Sequence, residues 1–275
     1  MDIEPPPQTR RLAEGLPAAP GVYVFHGEHP GLPLYIGKSI NIRSRVLAHL
    51  RNPDEANLVR QTVRVSHTRT AGDVGAQLLE AQLIKAQQPL YNQRLRRNRQ
   101  LCSWQLDTQG HPNLVHARDI DFAQTPGLYG LYASRHSAVE GLRGLAQEHQ
   151  LCEVALGLEQ AVRGRGCFRS TLRRCKGVCC GLEDPASHQE RLLAALENLR
   201  VLCWPHTGAL GLVERWATPD PMVQVHVVHN WCYLGSVPQL DQAAELARTP
   251  ATFDADGYKI LCRPLLQGSA EVVPL

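Results

Sequence analysis

No window of this 275-residue chain approaches the ~18 to 20 successive apolar residues needed to cross a bilayer. The first eleven residues, MDIEPPPQTRR, combine acids with three prolines and have no apolar stretch, which excludes a secretory signal peptide. Both absences point to a soluble, cytoplasmic protein. There is no internal repeat and no low-complexity tract beyond the short PPP. An excess of one charge is also missing: the formal net charge is +3 and 20% of residues are charged, so bulk composition does not point to nucleic acid. In a reducing compartment the nine cysteines are read as thiols or metal ligands rather than disulfides.

The cations are clustered. Arg94, Arg96, Arg97 and Arg99 fall within six positions with no acid between them, and six cations lie between Arg163 and Lys176, again without an acid. Such runs neutralise phosphates and release counterions. Either run alone would more simply be a solvated charged face.

Residues 1 to about 16 read as a flexible lead-in. Gly21 to Phe25 and Pro33 to Ile36 are strand signals joined by the turn-rich HGEHPGL, hence a hairpin. Ser39 is placed to cap a helix from Ile40 to about Arg51, with Ile42, Val46, Leu47 and Leu50 at helical spacing. A third strand is predicted around Val63 to His67. A second helix follows from about Asp73 to Gln87, ended by Pro89. The result is a small α/β unit over residues 17–100. A linking α+β segment over 101–150 should carry strands at Ser103 to Leu106 and Asn113 to Ala117 and a helix from Arg135. A cysteine-rich region with a following helix occupies 151–200. In that helix Asp184 and Pro185 stand as N-cap and N1, with Ser187 and Glu190 at capping-box spacing. An α+β domain over 201–275 should have strands at Met222 to Val228, Trp231 to Val237 and Tyr258 to Cys262, and a helix near Leu240 to Arg248.

Six polar residues of the first unit make chemical sense together. Phosphodiester hydrolysis needs a positioned water, a group to take its proton, and positive charge on the phosphorane. The hairpin sets Tyr23 and Tyr35 on neighbouring strands, with Lys38 just beyond. Arg45 and His49, spaced i, i+4, share one face of the first helix. Glu80 on the second helix is a carboxylate able to hold one hard cation. Singly, each has a bland reading: packed tyrosines, solvent-facing Arg and Glu.

Gly21-Val-Tyr23, Tyr35-Ile-Gly37, Lys38, Arg45, His49, Glu80 and Asn92 resemble the GIY-YIG nuclease pattern in order and spacing, with Val22 in place of isoleucine. The resemblance implies a three-stranded antiparallel sheet with flanking helices and one Mg²⁺ or Mn²⁺ on Glu80. It also implies a tyrosine general base, either Tyr23 or Tyr35. Arg45 would bind the scissile phosphate, Lys38 would sit near the nucleophile, His49 would support the phosphate or leaving group, and Asn92 would complete the site.

Cys152, Cys167, Cys175 and Cys179 are separated by fourteen, seven and three residues, with Cys180 beside the last. Four such thiolates can hold a [4Fe–4S] cluster or a tetrahedral Zn²⁺. The paired CxxC knuckles of structural zinc are absent, which favours iron–sulfur. Cys102, Cys203, Cys232 and Cys262 are scattered and read as buried thiols.

A GIY-YIG unit followed by this array, with a final CxxxC, is similar to the UvrC family of excision-repair nucleases. The likeness is greatest to its short members without a second nuclease; it runs through RLRRNRQLC, the cysteine region and FDADGYKILCRPLL and covers nearly the whole chain. It implies a [4Fe–4S] cluster on Cys152, Cys167, Cys175 and Cys179, with Cys180 spare. It also implies incision 3′ to a lesion in damaged double-stranded DNA presented by UvrB, with UvrA upstream. The chain stops at Leu275, leaving no room for the RNase H-like nuclease and helix–hairpin–helix modules of long members. Phosphate contacts are expected from Arg94, Arg96, Arg97 and Arg99, and from Arg165, Arg169, Arg173 and Arg174. A free-standing GIY-YIG endonuclease and a non-catalytic DNA-binding adaptor are the rival readings. The first lacks a visible sequence-reading module, and the second has no use for Glu80.

Overall fold

The structure, a computed structural model, describes residues 11–29, 31–92, 101–160 and 166–275. These belong to two compact units, one drawn from Met1–Arg97 with His206–Leu275 and the other from Asn98–Pro205.

In the first unit, β1 (Gly21–His26) and β2 (Pro33–Ser39) form the expected hairpin, with Tyr23 opposite Gly37 and Gly21 opposite Ser39. β3 (Arg64–Arg69) pairs with the other side of β1, giving an antiparallel sheet in the order β2-β1-β3. Because side chains alternate along a strand, the central β1 feeds two cores. Tyr23 and Phe25 pack with Ile42, Val46 and Leu50 of α1 (Ile42–Arg51) and with Leu58 of α2 (Ala56–Gln61). Val22 and Val24 pack with Ile36 and with Leu79, Leu83 and Ile84 of α3 (Asp73–Gln87). Burial on both faces explains why GVYVF is apolar throughout rather than alternating.

Two local expectations are corrected. The cap of α1 is Asn41, whose side chain accepts from Ser44 N at 3.0 Å. Ser39 is still strand, and its hydroxyl braces the turn by accepting from Asn41 N at 2.9 Å. The lead-in is not wholly loose either: a 3₁₀ turn at Arg11–Ala13 precedes Leu16, and Ala13 and Leu16 are buried in the α1 core. α3 ends as expected, Gln88 taking a left-handed conformation before Pro89. The chain then runs beside β2, with Leu90 N donating to Pro33 O and Tyr91 N to Leu34 O.

The C-terminal part adds β8 (Leu210–Trp216), β9 (Met222–His229), β10 (Cys232–Val237) and β11 (Glu271–Pro274) in an antiparallel sheet ordered β10-β9-β8-β11. α7 (Leu240–Leu246) and α8 (Ala255–Leu266) accompany it. The strand expected at Tyr258 to Cys262 is instead the middle of α8. YKILC is a short apolar run, ambiguous by periodicity. Asp254 decides it by capping the amides of Asp256 and Gly257, which sets Gly257 and Leu261 four apart on one buried face.

In the second unit, β4 (Cys102–Leu106), β5 (Pro112–His116), β6 (Leu128–Tyr132) and β7 (Arg200–Val201) form a sheet ordered β5-β4-β6-β7. Trp104, Leu142 and Ala146 share one core with Leu192 and Leu196, joining α4 (Arg135–Glu148) to α6 (Pro185–Glu197). The boundary expected near residue 150 therefore runs through a single core rather than between domains. Asp184 caps α6 by accepting from Ser187 N at 3.1 Å; Ser187 is thus the third helical residue and not a capping-box start. Among the described residues no helix is long and apolar enough to cross a membrane.

Candidate active site

The end of the hairpin brings the sequence-predicted nuclease residues together. Tyr23 is buried, and its hydroxyl lies 2.7 Å from His49 Nε2. His49 Nδ1 lies 2.5 Å from Glu55 Oε2. A carboxylate only accepts, so Nδ1 carries the proton, Nε2 accepts, and the Tyr23 hydroxyl donates to it. Glu55 sits on a 3₁₀ turn at Pro53–Glu55, nucleated by Asn52, whose side chain accepts from Asp54 N at 3.1 Å. Sequence reasoning missed it. The signal available was N-P-D-E directly after the helix bearing His49, a turn that returns an acid to the helix end.

His49 departs from its expected place. It is only 3% exposed, so it meets Tyr23 rather than a phosphate. Burial lowers its pKa, against the upward pull of Glu55. Burial raises the pKa of Tyr23 far above the usual phenol range, with neighbouring Tyr35 adding to the effect and Arg45 opposing it. Tyr35 is half-buried; burial and then the Glu80 charge raise its pKa, while Arg45 and the Tyr23 hydroxyl pull it down. Arg45 is exposed on α1 and interacts with the Tyr23 hydroxyl, leaving a guanidinium at the mouth of the tyrosine pair.

Glu80 comes from α3. Its Oε1 accepts from Lys38 N at 3.1 Å, and among the described residues its second oxygen takes no hydrogen bond. Burial raises its pKa, partly offset by the Lys38 amide and ammonium. A half-buried carboxylate with a free oxygen is a donor set that a hard divalent cation fits. The Lys38 ammonium does not occupy that place: it is held by Asp73 at 2.8 and 3.2 Å. Asn92 is engaged with the backbone, its side chain accepting from Ile36 N at 2.9 Å and donating to Ile36 O at 2.8 Å. It fixes the strand between Tyr35 and Gly37 rather than facing the reacting group. Gly37 is required by packing, because a Cβ there would lie 2.4 Å from the Tyr23 hydroxyl.

In the second unit the four predicted cysteines converge. Sγ of Cys167 lies 3.9 Å from that of Cys152 and 3.5 Å from that of Cys175, and Cys179 Sγ accepts from Cys167 N at 3.4 Å. Cys180 is exposed and bonds Gly177 O instead. Burial pushes Cys167 up to about 11 and Cys179 up to about 12. For Cys152 burial acts the same way, but the amides of Ala155 and Val154 together with Cys179 outweigh it and bring the pKa below the ordinary thiol value. Buried thiols whose ionisation is opposed by desolvation suit a site that a cation completes. Thiolates 2.3 Å from one tetrahedral ion stand about 3.8 Å apart, whereas an iron–sulfur cube holds its ligands further apart; here Cys152, Cys167 and Cys179 lie within 4.8 Å of one another, and Cys175 lies beside Cys167 outside that set.

The basic runs divide. Arg94, Arg96, Arg97, Arg99 and Arg165 lie outside the described residues. Arg173 and Arg174 are exposed. Arg169 is not open to phosphate, since it is largely buried and paired with Glu153 at 2.7 Å.

Three family models match in succession: a UvrC-like GIY-YIG domain over residues 19–93, a UvrC/Cho excinuclease middle domain over 101–198, and an excinuclease Cho C-terminal domain over 209–275. The chain is 56% identical over 272 residues to excinuclease cho of Salmonella typhimurium, covering 99% of this chain and 92% of that protein. The corresponding protein of Escherichia coli strain K12 is 54% identical over the same length, with 99% and 91% covered. UvrABC system protein C of Caldicellulosiruptor saccharolyticus is 30% identical over 184 residues, 65% of this chain and 30% of that one. Among solved structures, the magnesium-bound GIY-YIG N-terminal endonuclease domain of UvrC from Thermotoga maritima is 28% identical over 32% of this chain and 98% of that domain, at a TM-score of 0.29.

Proposed function

The chain is a metal-dependent endonuclease of the UvrC/Cho excinuclease family, and from that premise we propose that it makes the excision-repair incision 3′ to a lesion, on damaged duplex DNA held by UvrB with UvrA acting upstream. The observation that carries the chemistry is the juxtaposition of the Glu80 carboxylate with the Tyr35, Tyr23, His49 and Glu55 series and with Arg45.

Glu80 would hold one Mg²⁺ or Mn²⁺, which supplies positive charge to the scissile phosphate and to the leaving oxygen. Tyr35 is the half-exposed tyrosine and faces Glu80, so it is assigned to receive the proton of the attacking water. Its own phenolic proton passes to the Tyr23 oxygen as the Tyr23 proton moves to His49 Nε2. Glu55 stabilises the imidazolium that results, the same use of a buried carboxylate that a catalytic triad makes. Arg45 binds the phosphate oxygens, a task suited to a planar guanidinium. Lys38 orients Glu80 through its backbone amide. The exposed Arg173 and Arg174, and the arginines at 94, 96, 97, 99 and 165, are assigned to the DNA backbone.

The four cysteines are proposed to hold a structural metal centre. The order of the cysteines favours a [4Fe–4S] cluster, and the sulfur separations of 3.5 and 3.9 Å favour a single Zn²⁺. Metal analysis and visible absorption of protein purified without oxygen decide between them. Broad absorption near 400 nm with stoichiometric iron and sulfide identifies the cluster; a colourless protein with one zinc identifies the ion.

The function is tested by incision of an end-labelled duplex carrying one bulky lesion, with Mg²⁺, comparing the protein with Glu80→Ala, each with and without UvrA and UvrB. A single 3′-side cut that needs UvrB and disappears in the variant is expected. Cleavage of undamaged DNA without partners would sink the excision reading in favour of a free-standing nuclease.

A further inference from the structure

The helix that carries Glu80 has no cap of its own. α3 begins after Gly72, which offers no side chain, and the first turn is satisfied from the C-terminal sheet instead. Glu214 of β8 accepts from Val74 N at 3.0 Å through Oε1 and from Gly75 N at 2.7 Å through Oε2. The same carboxylate is held by His226 Nε2 at 2.9 Å, and His226, fully buried, reaches Ser236 Oγ at 2.6 Å. Further along, Lys85 is paired with Asp254 at 2.5 Å and Asp256 at 2.8 Å. α3 is thus gripped near both ends by the C-terminal part of its own unit.

The two glycines of this turn belong to the arrangement. A Cβ on Gly72 would stand 2.2 Å from Glu214 Oε1, and one on Gly75 would stand 2.3 Å from His226 Cε1. The A-G-D-V-G sequence is therefore a surface cleared for an incoming carboxylate and imidazole rather than a loose hinge. Between the glycines lies Asp73, the residue that holds the Lys38 ammonium. If the first turn frays, Asp73 withdraws, and a flexible lysine whose own amide already bonds Glu80 is free to place its ammonium on that carboxylate. A single carboxylate cannot serve an ammonium and a divalent ion equally well.

We propose that Glu214 is a positioning residue of the nuclease: by capping α3 from the C-terminal sheet it keeps Asp73 on Lys38 and so keeps Glu80 open to its metal ion. The C-terminal sheet is on this account a working part of the nuclease, and not merely an appended module. The inference rests on the assignment of Glu80 as metal ligand.

The test uses the full chain without DNA. Mn²⁺ binding is followed by electron paramagnetic resonance, and amide hydrogen exchange is followed in the segment 72–80. Glu214→Ala should weaken Mn²⁺ binding about fivefold, as expected for loss of a helix cap worth about 1 kcal/mol. It should also speed exchange at Val74 and Gly75 more than elsewhere. Glu214→Gln keeps the shape and one acceptor oxygen, so it should fall between. Gly72→Ala should mimic Glu214→Ala by displacing the carboxylate, and the double variant should bind no more weakly than either single one. Lys38→Met should raise Mn²⁺ affinity more in the Glu214→Ala background than in the otherwise unchanged protein, a difference that a purely structural defect would not produce. Wild-type Mn²⁺ affinity in folded Glu214→Ala or Glu214→Gln, or strictly additive effects with Gly72→Ala, would overturn the proposal. Mn²⁺ binding that survives Glu80→Ala would overturn the metal assignment beneath it, a failure recognisable without any Glu214 variant.

Discussion

The catalytic end of the hairpin and the cysteine segment both gather polar groups from distant positions, yet they are held in opposite ways. In the nuclease site the side chains that matter are fixed by protein partners: Tyr23 by His49, His49 by Glu55, Lys38 by Asp73, and the backbone at Ile36 by Asn92. Among its described residues the cysteine segment has little regular structure of its own, the four-residue helix α5 (Phe168–Thr171) and a 3₁₀ turn at Val178–Cys180. Its sulfurs meet one another and the backbone amides beside them. The first site rests on side-chain pairs between separate elements, the second on thiols gathered within one segment. On the proposal that these thiols hold a metal, its binding there would be folding free energy.

Five experiments would break or sharpen that contrast. The largest effect belongs to Glu80→Ala, expected to lower cleavage by about a thousandfold or more through loss of the metal's charge at the phosphate, with circular dichroism unchanged. The same carboxylate is a cost to folding. Its pKa is raised in the folded state, so the folded protein binds its proton more tightly, and stability falls as pH rises through that raised value. Glu80→Gln should accordingly melt a few degrees higher at pH 7, and the gain should vanish by about pH 3, below the unfolded carboxylate range. No gain at pH 7 would mean that Glu80 is not strained by burial.

Next comes the cysteine centre. Cys175→Ser should lower the stability of its unit by about 3 kcal/mol or more, together with loss of bound metal, read from thermal melts and metal content. Unchanged melting would show that this site is built without an ion.

Glu55→Gln should act on the nuclease without unfolding it, lowering the single-turnover rate about ten- to a hundredfold, the usual worth of assisted proton transfer. Glu55 pulls the His49 pKa up, so removing its charge should move the acid limb of the pH–rate profile to lower pH as the plateau falls. A plateau that falls with no shift of that limb would dismiss the relay. The smallest effects are expected from Arg173→Ala and Arg174→Ala. Each should reduce the dependence of DNA affinity on log salt by about 0.9, uniformly across sequences.

What the sequence made legible follows the same division. Local patterns worked where one element explains itself: the hairpin, the helix over 73–87, and the i, i+4 pair Arg45 and His49. Cysteine spacing anticipated that these thiols lie near one another in the fold; what they hold is a proposal. Glu55 was hidden because its role depends on a tight turn after α1, not on periodicity. The helix over 255–266 was misread because five apolar-leaning residues fit either period until Asp254 is seen to cap them. The attachment of residues 206–275 to the nuclease unit was illegible, since Glu214 and Gly75 meet across 139 positions with no local trace except two glycines.

The strip of chain at Leu90 to Asn92 has one more consequence. β2 is an outer strand of its sheet, and an unpaired strand edge invites a second chain to extend it. Here two backbone amides and one side-chain amide lie along that edge, occupying the outward groups of Pro33, Leu34 and Ile36. From Pro33 to Ile36 the edge of the strand that bears Tyr35 is thereby covered by its own chain, one of the devices that keep a sheet edge from pairing with another chain.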